Sequence, residues 1–313
     1  MYVLLGSNGN ITSKTAQLLL SRGQRVRVVG RNAEKLEPLW LAGAELAIGD
    51  MPDVDFLSHA MGGADAVYTM IPTAYNTADP VATFERIGEA IAQAVARAGV
   101  KRVVNLSRAG AHLERGAGLI VSLNAQEERL NRIAGVKTLH LRPSYFFDNY
   151  FTALKLFNVY GAYSDLVAPD LSIPAIATID IAAVVARELM RPSQHADKAV
   201  LHLRGPQALS PGEAAATLGK AIGKPEFAYA QAEPAWAIAA MLRHGVSPAM
   251  ADLIVAMNKA FSRADFFNAV HSGPTEITPT SLAQFASGIR ATIVGFADGW
   301  RMRQNHSPAL AWA

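Results

Sequence analysis

Hydrophobic and polar positions in the first half of the chain alternate between short apolar runs and longer segments with helical spacing. The clearest helical segment is Thr83–Ala98, in which apolar side chains share one face and charged side chains share the other. The short runs are rich in Val, Leu and Ile, as expected for strands that are buried on both faces. They predict strands at Tyr2–Gly6, Arg25–Val29, Glu45–Ile48, Ala66–Met70, Arg102–Leu106 and Thr138–Leu141.

The regular repeat of strand and helix predicts the fold class. Gly23 and Gly99 stand where helices end just before strands, which is typical of a helix C-terminus. Strands that alternate with helices are joined by right-handed crossovers and therefore lie parallel. We expect an α/β fold with a doubly wound parallel sheet of the Rossmann type.

The pattern changes in the second half of the chain. It predicts a helix from Ile179 to about Met190, a strand at Ala199–Leu203 and a capping box at Ser210, followed by Ala- and Met-rich helices. We predict a nucleotide-binding domain over 1–150, to which the chain returns at about 172–205. The remainder of 151–313 is expected to form a smaller, mainly helical substrate-binding part.

Composition excludes several classes of protein. The 313 residues contain no Cys, which excludes disulfides and thiolate chemistry, and the net charge of +3 is too small to favour a nucleic-acid partner. No run of 18 uncharged apolar residues and no targeting segment is visible, so we expect a cytoplasmic protein without a membrane partner. The eight His show no metal-binding spacing, and no metal is predicted.

A glycine turn follows the first predicted strand and carries the main functional signal. It reads Gly6-Ser7-Asn8-Gly9-Asn10-Ile11-Thr12, and glycines at this position allow backbone N–H groups to approach a pyrophosphate. Arg31 follows the second strand, where an NAD-specific protein usually has an acidic residue. A guanidinium there can pair with a 2′-phosphate, so NADP(H) is favoured over NAD(H). In the alternative interpretation, Arg31 and Lys35 are only a solvated helix start.

Several further motifs accompany the glycine turn: Gly49-Asp50, Arg142-Pro143 with Asp148-Asn149, Ile179-Asp180-Ile181-Ala182, Gly205-Pro206 with Leu209-Ser210, and Pro279-Thr280-Ser281. In these motifs the chain resembles the NmrA-like family of atypical short-chain dehydrogenases. That family includes NADPH:quinone oxidoreductases, triphenylmethane reductases and NADP-sensing regulators. The resemblance implies cofactor contacts from Gly6, Asn8, Gly9, Asn10, Ile11, Arg31 and Asp50. It places Thr69, Ile71 and Pro72 beneath the ribose and nicotinamide.

The proton donor of ordinary short-chain dehydrogenases is missing from this sequence. No Tyr is followed by Lys four residues later, so the usual phenol activated by an ammonium is absent. Three residues remain as catalytic candidates: Ser107 after the fifth strand, Asn124 in a predicted helix Ser122–Ile133, and Tyr145 after the sixth strand. Asn124 cannot exchange a proton near neutral pH. Ser107 could equally bond its own loop, and Tyr145 could simply line the pocket.

An intact cofactor motif without an acid favours one kind of reaction. We expect an NADPH-dependent reductase that transfers hydride directly to a small, conjugated, electron-poor substrate such as a quinone, because water can protonate the resulting delocalised anion. The alternative is a non-catalytic NADP(H) redox sensor that acts through protein partners. A homodimer is compatible with either interpretation.

Overall fold

A parallel sheet lies at the centre of the described part of the chain. The computed structural model describes residues 1–6, 9–150, 163–191, 195–263, 266–267 and 273–288. Within these residues eight strands join in the order β13-β10-β6-β5-β4-β1-β2-β3. The strands of the chain are β1 (Tyr2–Leu5), β2 (Val26–Gly30), β3 (Glu45–Ile48), β4 (Ala66–Thr69), β5 (Arg102–Leu106), β6 (Lys137–Pro143), β7 (Tyr145–Phe146), β8 (Tyr163–Asp165), β9 (Ile173–Ile176), β10 (Lys198–Arg204), β11 (Ala208–Leu209), β12 (Tyr229–Gln231) and β13 (Thr275–Ile277).

Helices cover both faces of this sheet. They are α1 (Asn10–Leu20), α2 (Ala33–Leu41), α3 (Val54–Met61), α4 (Pro80–Arg97), α5 (Ile120–Asn131), α6 (Thr178–Met190), α7 (Pro211–Ile222), α8 (Pro234–Arg243) and α9 (Pro248–Phe261). Along β1, Val3 and Leu5 pack in the core with α3 and α4, whereas Leu4 packs in a second core with α1, α2 and α6. This alternation shows burial on both faces, and the predicted doubly wound α/β fold is confirmed.

The predicted elements of the first half match the structure closely. The six predicted strands are β1 to β6, with ends shifted by at most two residues. The predicted helix Thr83–Ala98 is α4, which begins earlier, at Pro80, because the Asp79 side chain accepts a hydrogen bond from the Ala82 N–H at 2.9 Å and caps it. The cap and a proline at the first helical position extend the helix beyond the apolar pattern.

The second half contains short strands that the sequence pattern did not predict. Strands β7, β9 and β11 form a small sheet, and β8 pairs with β12. They are two to four residues long, which is too short for a periodicity to be recognised. The predicted capping box is confirmed, since Ser210 caps α7 and Glu213 bonds back to it. The division into two domains stays a prediction, although β10 does lie beside β6 in the main sheet.

Two of the motifs that carry the resemblance contact each other. The Asp180 carboxylate at the start of α6 accepts hydrogen bonds from the Thr280 backbone N–H at 3.0 Å and from its hydroxyl at 2.7 Å. The Gly205 N–H donates to the Ala175 carbonyl at 2.7 Å, and a Cβ on Gly205 would lie only 2.6 Å from that oxygen. These residues fasten distant segments together and therefore have structural roles.

Among the residues that the structure describes, no helix is both long and apolar enough to span a bilayer.

Candidate active site

The glycine turn lies between β1 and α1 at the carboxyl edge of the sheet. Gly6 has a φ of +74°, which favours glycine, and a Cβ there would lie 2.3 Å from the Met70 sulfur. The Gly9 N–H donates to the Gly6 carbonyl at 3.0 Å and closes the turn. Gly9 is the N-cap of α1 and has no side chain to cap it. The N-terminus of α1 therefore retains the backbone donors and the dipole that favour a phosphate.

A network of polar side chains supports the first turn of α1. The Asn10 amide donates to Asp148 Oδ1 at 3.2 Å, and the Thr178 hydroxyl donates to the same oxygen at 3.0 Å. The Lys14 ammonium donates to the Thr178 hydroxyl at 2.7 Å. Asp148 is thus connected to the glycine turn, and Lys14 adds a positive charge close to it. Lys14 was not predicted as part of this site.

The neighbouring strands place the next two predicted cofactor residues at the same edge. Leu5 of β1 pairs with Val29 of β2, and Gly30 pairs with Ile48 of β3. Arg31 and Asp50, which follow β2 and β3, are therefore close to the turn and both are exposed. Among the described residues, Arg31 has no ion-pair partner.

The three residues predicted beneath the nicotinamide lie at the end of β4 and just after it. Thr69 is completely buried, and its hydroxyl donates to Asn105 Oδ1 at 2.9 Å. Ile71 is buried and Pro72 is half-buried, so both form a floor at this edge. The Thr69 side chain is already satisfied inside the protein and supports this floor from below.

The residues at this edge fit an adenine dinucleotide. A turn that only glycine can form at Gly6, a helix N-terminus without a side-chain cap and an unpaired Arg31 match the needs of a pyrophosphate and a phosphorylated ribose. The predicted contact from Asn8 lies outside the described residues. The specific contacts of the other predicted residues stay predictions.

A cavity of about 180 Å³ opens beside the carboxyl ends of β4, β5 and β6. The residues that follow these strands, Thr73, Arg108 and Tyr145, form one wall. The opposite walls come from β8 and from helices α8 and α9, with the apolar side chains Trp236, Ala237, Met241, Ile254 and Met257. The cavity is thus mainly apolar and aromatic, with a few polar groups directed to it, as is typical of small-molecule sites.

Tyr145 and Asp165 form a hydrogen-bonded pair in this cavity. The Tyr145 hydroxyl lies 3.3 Å from Asp165 Oδ2, and the Leu166 N–H donates to Asp165 Oδ1 at 2.7 Å. Burial raises the pKa of the Asp165 carboxyl. Burial, and then the negative charge of Asp165, raise the pKa of Tyr145 well above its usual range. Tyr145 is therefore a much weaker acid than a phenol beside a lysine, which favours a role in lining the cavity.

Arg108 is the cationic group of the cavity wall next to Tyr145. Its guanidinium carbon lies 6.0 Å from the centre of the Phe146 ring and 5.8 Å from that of Phe261. Its Nη1 group lies 3.7 Å from the Met257 sulfur. Burial lowers the pKa of Arg108, but a guanidinium remains charged at any physiological pH.

The other two catalytic candidates do not line the cavity. Ser107 is buried at the end of β5, and its hydroxyl has no hydrogen-bond partner among the described residues, so it does not bond its own loop. The Asn124 amide donates to the Ala111 carbonyl at 2.8 Å and thereby ties α5 to the loop after β5. The structure thus brings only Tyr145 of the three candidates into the cavity. The Asn124 side chain thus anchors helix α5 to this loop and is not directed to the cavity.

Arg108 and Asp165 are among the polar residues of the cavity that were not predicted as site residues. Arg108 follows the end of β5, and this position next to Ser107 was the signal that could have identified it. Asp165 ends β8, a three-residue strand with no recognisable sequence pattern. Its approach to Tyr145 depends on the pairing of β8 with β12, which sequence spacing does not reveal.

Within the described residues, no group of three or more His, Asp or Glu side chains could hold a metal ion.

Comparison with known proteins identifies relatives of this chain. The model of a family described as NAD(P)H-binding matches residues 6–192, which is more than half of the chain. The chain is similar to the NAD(P)H azoreductase of Xenophilus azovorans, with 27% identity over 298 residues that cover 95% of this chain and 99% of the relative.

Two solved structures share the whole fold. The NADPH-dependent quinone oxidoreductase of Escherichia coli, complexed with NADPH, has a TM-score of 0.73 and 21% identity, covering 92% of this chain and 99% of that one. The triphenylmethane reductase of Citrobacter sp., complexed with NADP(H), has a TM-score of 0.72 and 18% identity, covering 93% and 100%. These likenesses confirm the fold that the sequence resemblance implied.

Proposed function

Because the chain belongs to the NAD(P)H-binding family, we propose that it is an NADPH-dependent reductase of small conjugated acceptors such as quinones or azo compounds. One observation carries the proposal. The cavity of about 180 Å³ is walled by the residues that follow β4, β5 and β6, next to the strand end that holds the glycine turn. In open α/β sheets this edge binds the cofactor, and the substrate lies against it.

The relatives support this class of substrate. The azoreductase and the quinone oxidoreductase are both named for reducing planar, conjugated acceptors. The apolar and aromatic walls around Tyr145, Trp236 and Met257 suit such acceptors, because flat apolar rings bury well against aromatic and thioether side chains.

The preference for NADPH rests on Arg31. It is exposed at the end of β2, where the adenosine ribose binds in this fold, and its guanidinium has no acidic partner among the described residues. A 2′-phosphate would supply that partner and form a charge-assisted hydrogen bond. Lys14 and the N-terminus of α1 add positive potential for the pyrophosphate.

The protein contributes orientation and exclusion of water to the reaction. NADPH supplies a hydride when bound. The walls of the cavity, which include residues of α8 and α9, hold the acceptor flat beside the strand ends and displace water from its faces. Tyr145, with its raised pKa, stays a neutral phenol at physiological pH, and its hydroxyl is bonded to Asp165.

The test is acceptor-dependent oxidation of NADPH by the purified protein. We expect NADPH absorbance to fall when a quinone or an azo dye is added. The variant Gly6→Ala should lose this activity, because a Cβ at a φ of +74° strains the turn that the pyrophosphate approaches and also crowds the Met70 side chain. Gly63→Ala is the matched control, since Gly63 also has positive φ but nothing lies within 4 Å of its Cβ position.

Binding without turnover would overturn the proposal. If calorimetry shows that the protein binds NADPH while neither quinones nor azo dyes are reduced, the result supports the alternative, a sensor of the cofactor. No feature of the described residues favours that alternative.

A further inference from the structure

The cavity wall contains a partly buried cation, Arg108, whose charge is not balanced by any described carboxylate. Two rings, Phe146 and Phe261, and the sulfur of Met257 hold the Arg108 guanidinium. The titratable groups that influence its pKa most are Tyr145 and Tyr75, and burial raises the pKa of both, so they are neutral phenols at physiological pH. A guanidinium has five N–H donors, and the thioether is a weak acceptor for one of them.

A charge held partly away from water without an acidic partner loses some of its hydration, and charges removed from water are normally paired. Aromatic faces offset part of this cost but leave the N–H donors in the plane of the guanidinium unsatisfied. Arg108 lines the cavity, so these donors are available to a ligand bound there. The arrangement therefore has the properties of an anion site formed before the ligand arrives.

The proposed reaction creates an anion in this cavity. When the acceptor gains a hydride at one atom, the electron pair of its π bond moves to the far oxygen or nitrogen. That atom becomes anionic and then takes a proton from water. Hydrogen-bond donors placed where this charge develops, in a site without bulk water, lower the barrier.

We infer that Arg108 is a catalytic residue that stabilises the negative charge on the acceptor and selects acceptors that become oxyanions, such as quinones, over cationic dyes. This inference rests on the proposed function of the same cavity. The selectivity follows from the charge: a guanidinium in the cavity wall attracts an oxygen that becomes negative and repels a substrate that is already positive.

Among the described residues, no hydrogen bond or ion pair joins Asp165 to Arg108. The Asp165 carboxyl accepts hydrogen bonds from Tyr145 and from the Leu166 N–H, and it is absent from the charges that act most strongly on Arg108. The Asp165 carboxyl is thus bonded to Tyr145 and Leu166, and Arg108 keeps its charge for an acceptor oxygen.

The kinetic test compares Arg108→Met with Arg108→Lys. We expect Arg108→Met to lower kcat for a neutral quinone by roughly 100-fold, with KM for NADPH changed by less than about twofold. Its activity with a cationic triphenylmethane dye should stay the same or rise. Arg108→Lys keeps the charge and should retain much of the quinone activity. Arg86→Met, an exposed residue of α4, is the control for loss of one positive charge.

A binding test is independent of turnover. With NADP⁺ present, 4-nitrophenol is titrated with pH, and the absorbance of its phenolate is recorded. The wild-type protein and Arg108→Lys should bind the phenolate at least about tenfold more tightly than the phenol, which lowers the pKa of the bound probe. Arg108→Met should lose this preference. The titratable and charged groups that also face the cavity, Tyr75, Tyr145, Tyr163, Asp165, Arg243 and His244, are the same in all variants.

The two tests separate failure of the inference from failure of the proposed function. If the wild-type protein reduces quinones but Arg108→Met keeps both the rate and the phenolate preference, Arg108 does not have this role. If the phenolate preference depends on Arg108 but no acceptor is reduced, the anion site is real and the proposed reaction is wrong. If Arg108→Met does not fold, loss of the phenolate preference in Arg108→Lys would overturn the inference.

Discussion

Arg31 and Arg108, two charged residues of the candidate site, follow the ends of strands. Arg31 lies one position beyond β2, and its role depends on a local feature, the end of a strand next to the glycine turn. The sequence predicted its position because strand ends of a parallel sheet meet at one edge. Arg108 lies two positions beyond β5, but its neighbours Met257 and Phe261 come from α9, about 150 residues later in the chain.

Arg31→Glu should weaken the binding of NADPH and leave that of NADH nearly unchanged. Loss of a charge-assisted hydrogen bond is worth about 1.5–3 kcal/mol, which corresponds to a Kd for NADPH raised by roughly 10- to 100-fold. Calorimetry with both cofactors measures the difference. Arg22→Glu makes the same change of charge at an exposed residue beyond the far end of α1 and should leave both affinities unchanged. Equal NADPH affinity in Arg31→Glu and the wild type would show that Arg31 does not bind the 2′-phosphate.

Helix α9 forms part of the cavity wall, and the sequence pattern did not predict where this helix packs. It begins at Pro248, capped by Ser247, and contributes Ile254, Met257 and Asn258 to the walls. Its backbone lies against Gly118 in the loop before α5: a Cβ on Gly118 would be 2.1 Å from the Leu253 carbonyl oxygen. The close approach of loop and helix depends on the missing side chain.

Gly118→Ala should therefore displace α9 as well as strain the loop. Gly118 has a φ of +54°, which costs an L-residue roughly 1–2 kcal/mol, and overpacking against α9 adds about 1–3 kcal/mol. Gly99→Ala is the matched control, because Gly99 has a φ of +67° and nothing within 4 Å of its Cβ position. Urea unfolding should show a clearly larger loss for Gly118→Ala. Equal losses would mean that the contact with α9 contributes nothing.

A buried chain of hydrogen bonds links three strands and a helix beneath the site. The Thr69 hydroxyl donates to Asn105, the Asn105 amide lies 3.1 Å from His140 Nδ1, and His140 Nε2 lies 2.9 Å from Asn131 Oδ1. The Asn105 amide nitrogen can only donate and the Asn131 oxygen can only accept. His140 is therefore neutral, with its proton on Nε2. The chain is satisfied in this form alone.

The whole molecule should lose stability in acid through this histidine. Burial is the main cause that lowers the pKa of His140 from 6.5 to about 4. The unfolded chain binds the proton more tightly, so this contribution is complete above pH 6.5 and is lost as the pH falls toward 4. The lowering corresponds to about 3 kcal/mol. Burial lowers the pKa of His202 to about 4 as well, which adds to the same trend.

The measurement is the free energy of unfolding by urea between pH 7 and pH 4. His140→Gln should make this dependence on pH weaker than in the wild type, whatever its effect at neutral pH. His59→Gln, at an exposed position in α3, should leave the slope unchanged. A wild-type slope in His140→Gln would show that His140 is not the group that titrates.

The sequence alone determined the sheet, its direction and the edge where a dinucleotide binds. Each of these depends on local patterns: apolar runs such as Arg102–Leu106, the helix that follows, and Gly6 at a turn. Such patterns can be recognised in the sequence because the residues that form them are neighbours in the chain.

Only the tertiary structure decided which side chains meet in the cavity. Tyr145 meets Asp165 through β8, a strand of three residues, and Arg108 meets Phe261 through the packing of α9. Asn124, in contrast, faces a carbonyl of its neighbouring loop. Contacts of this kind depend on the packing of elements that are far apart in sequence. No local periodicity or motif predicts that packing.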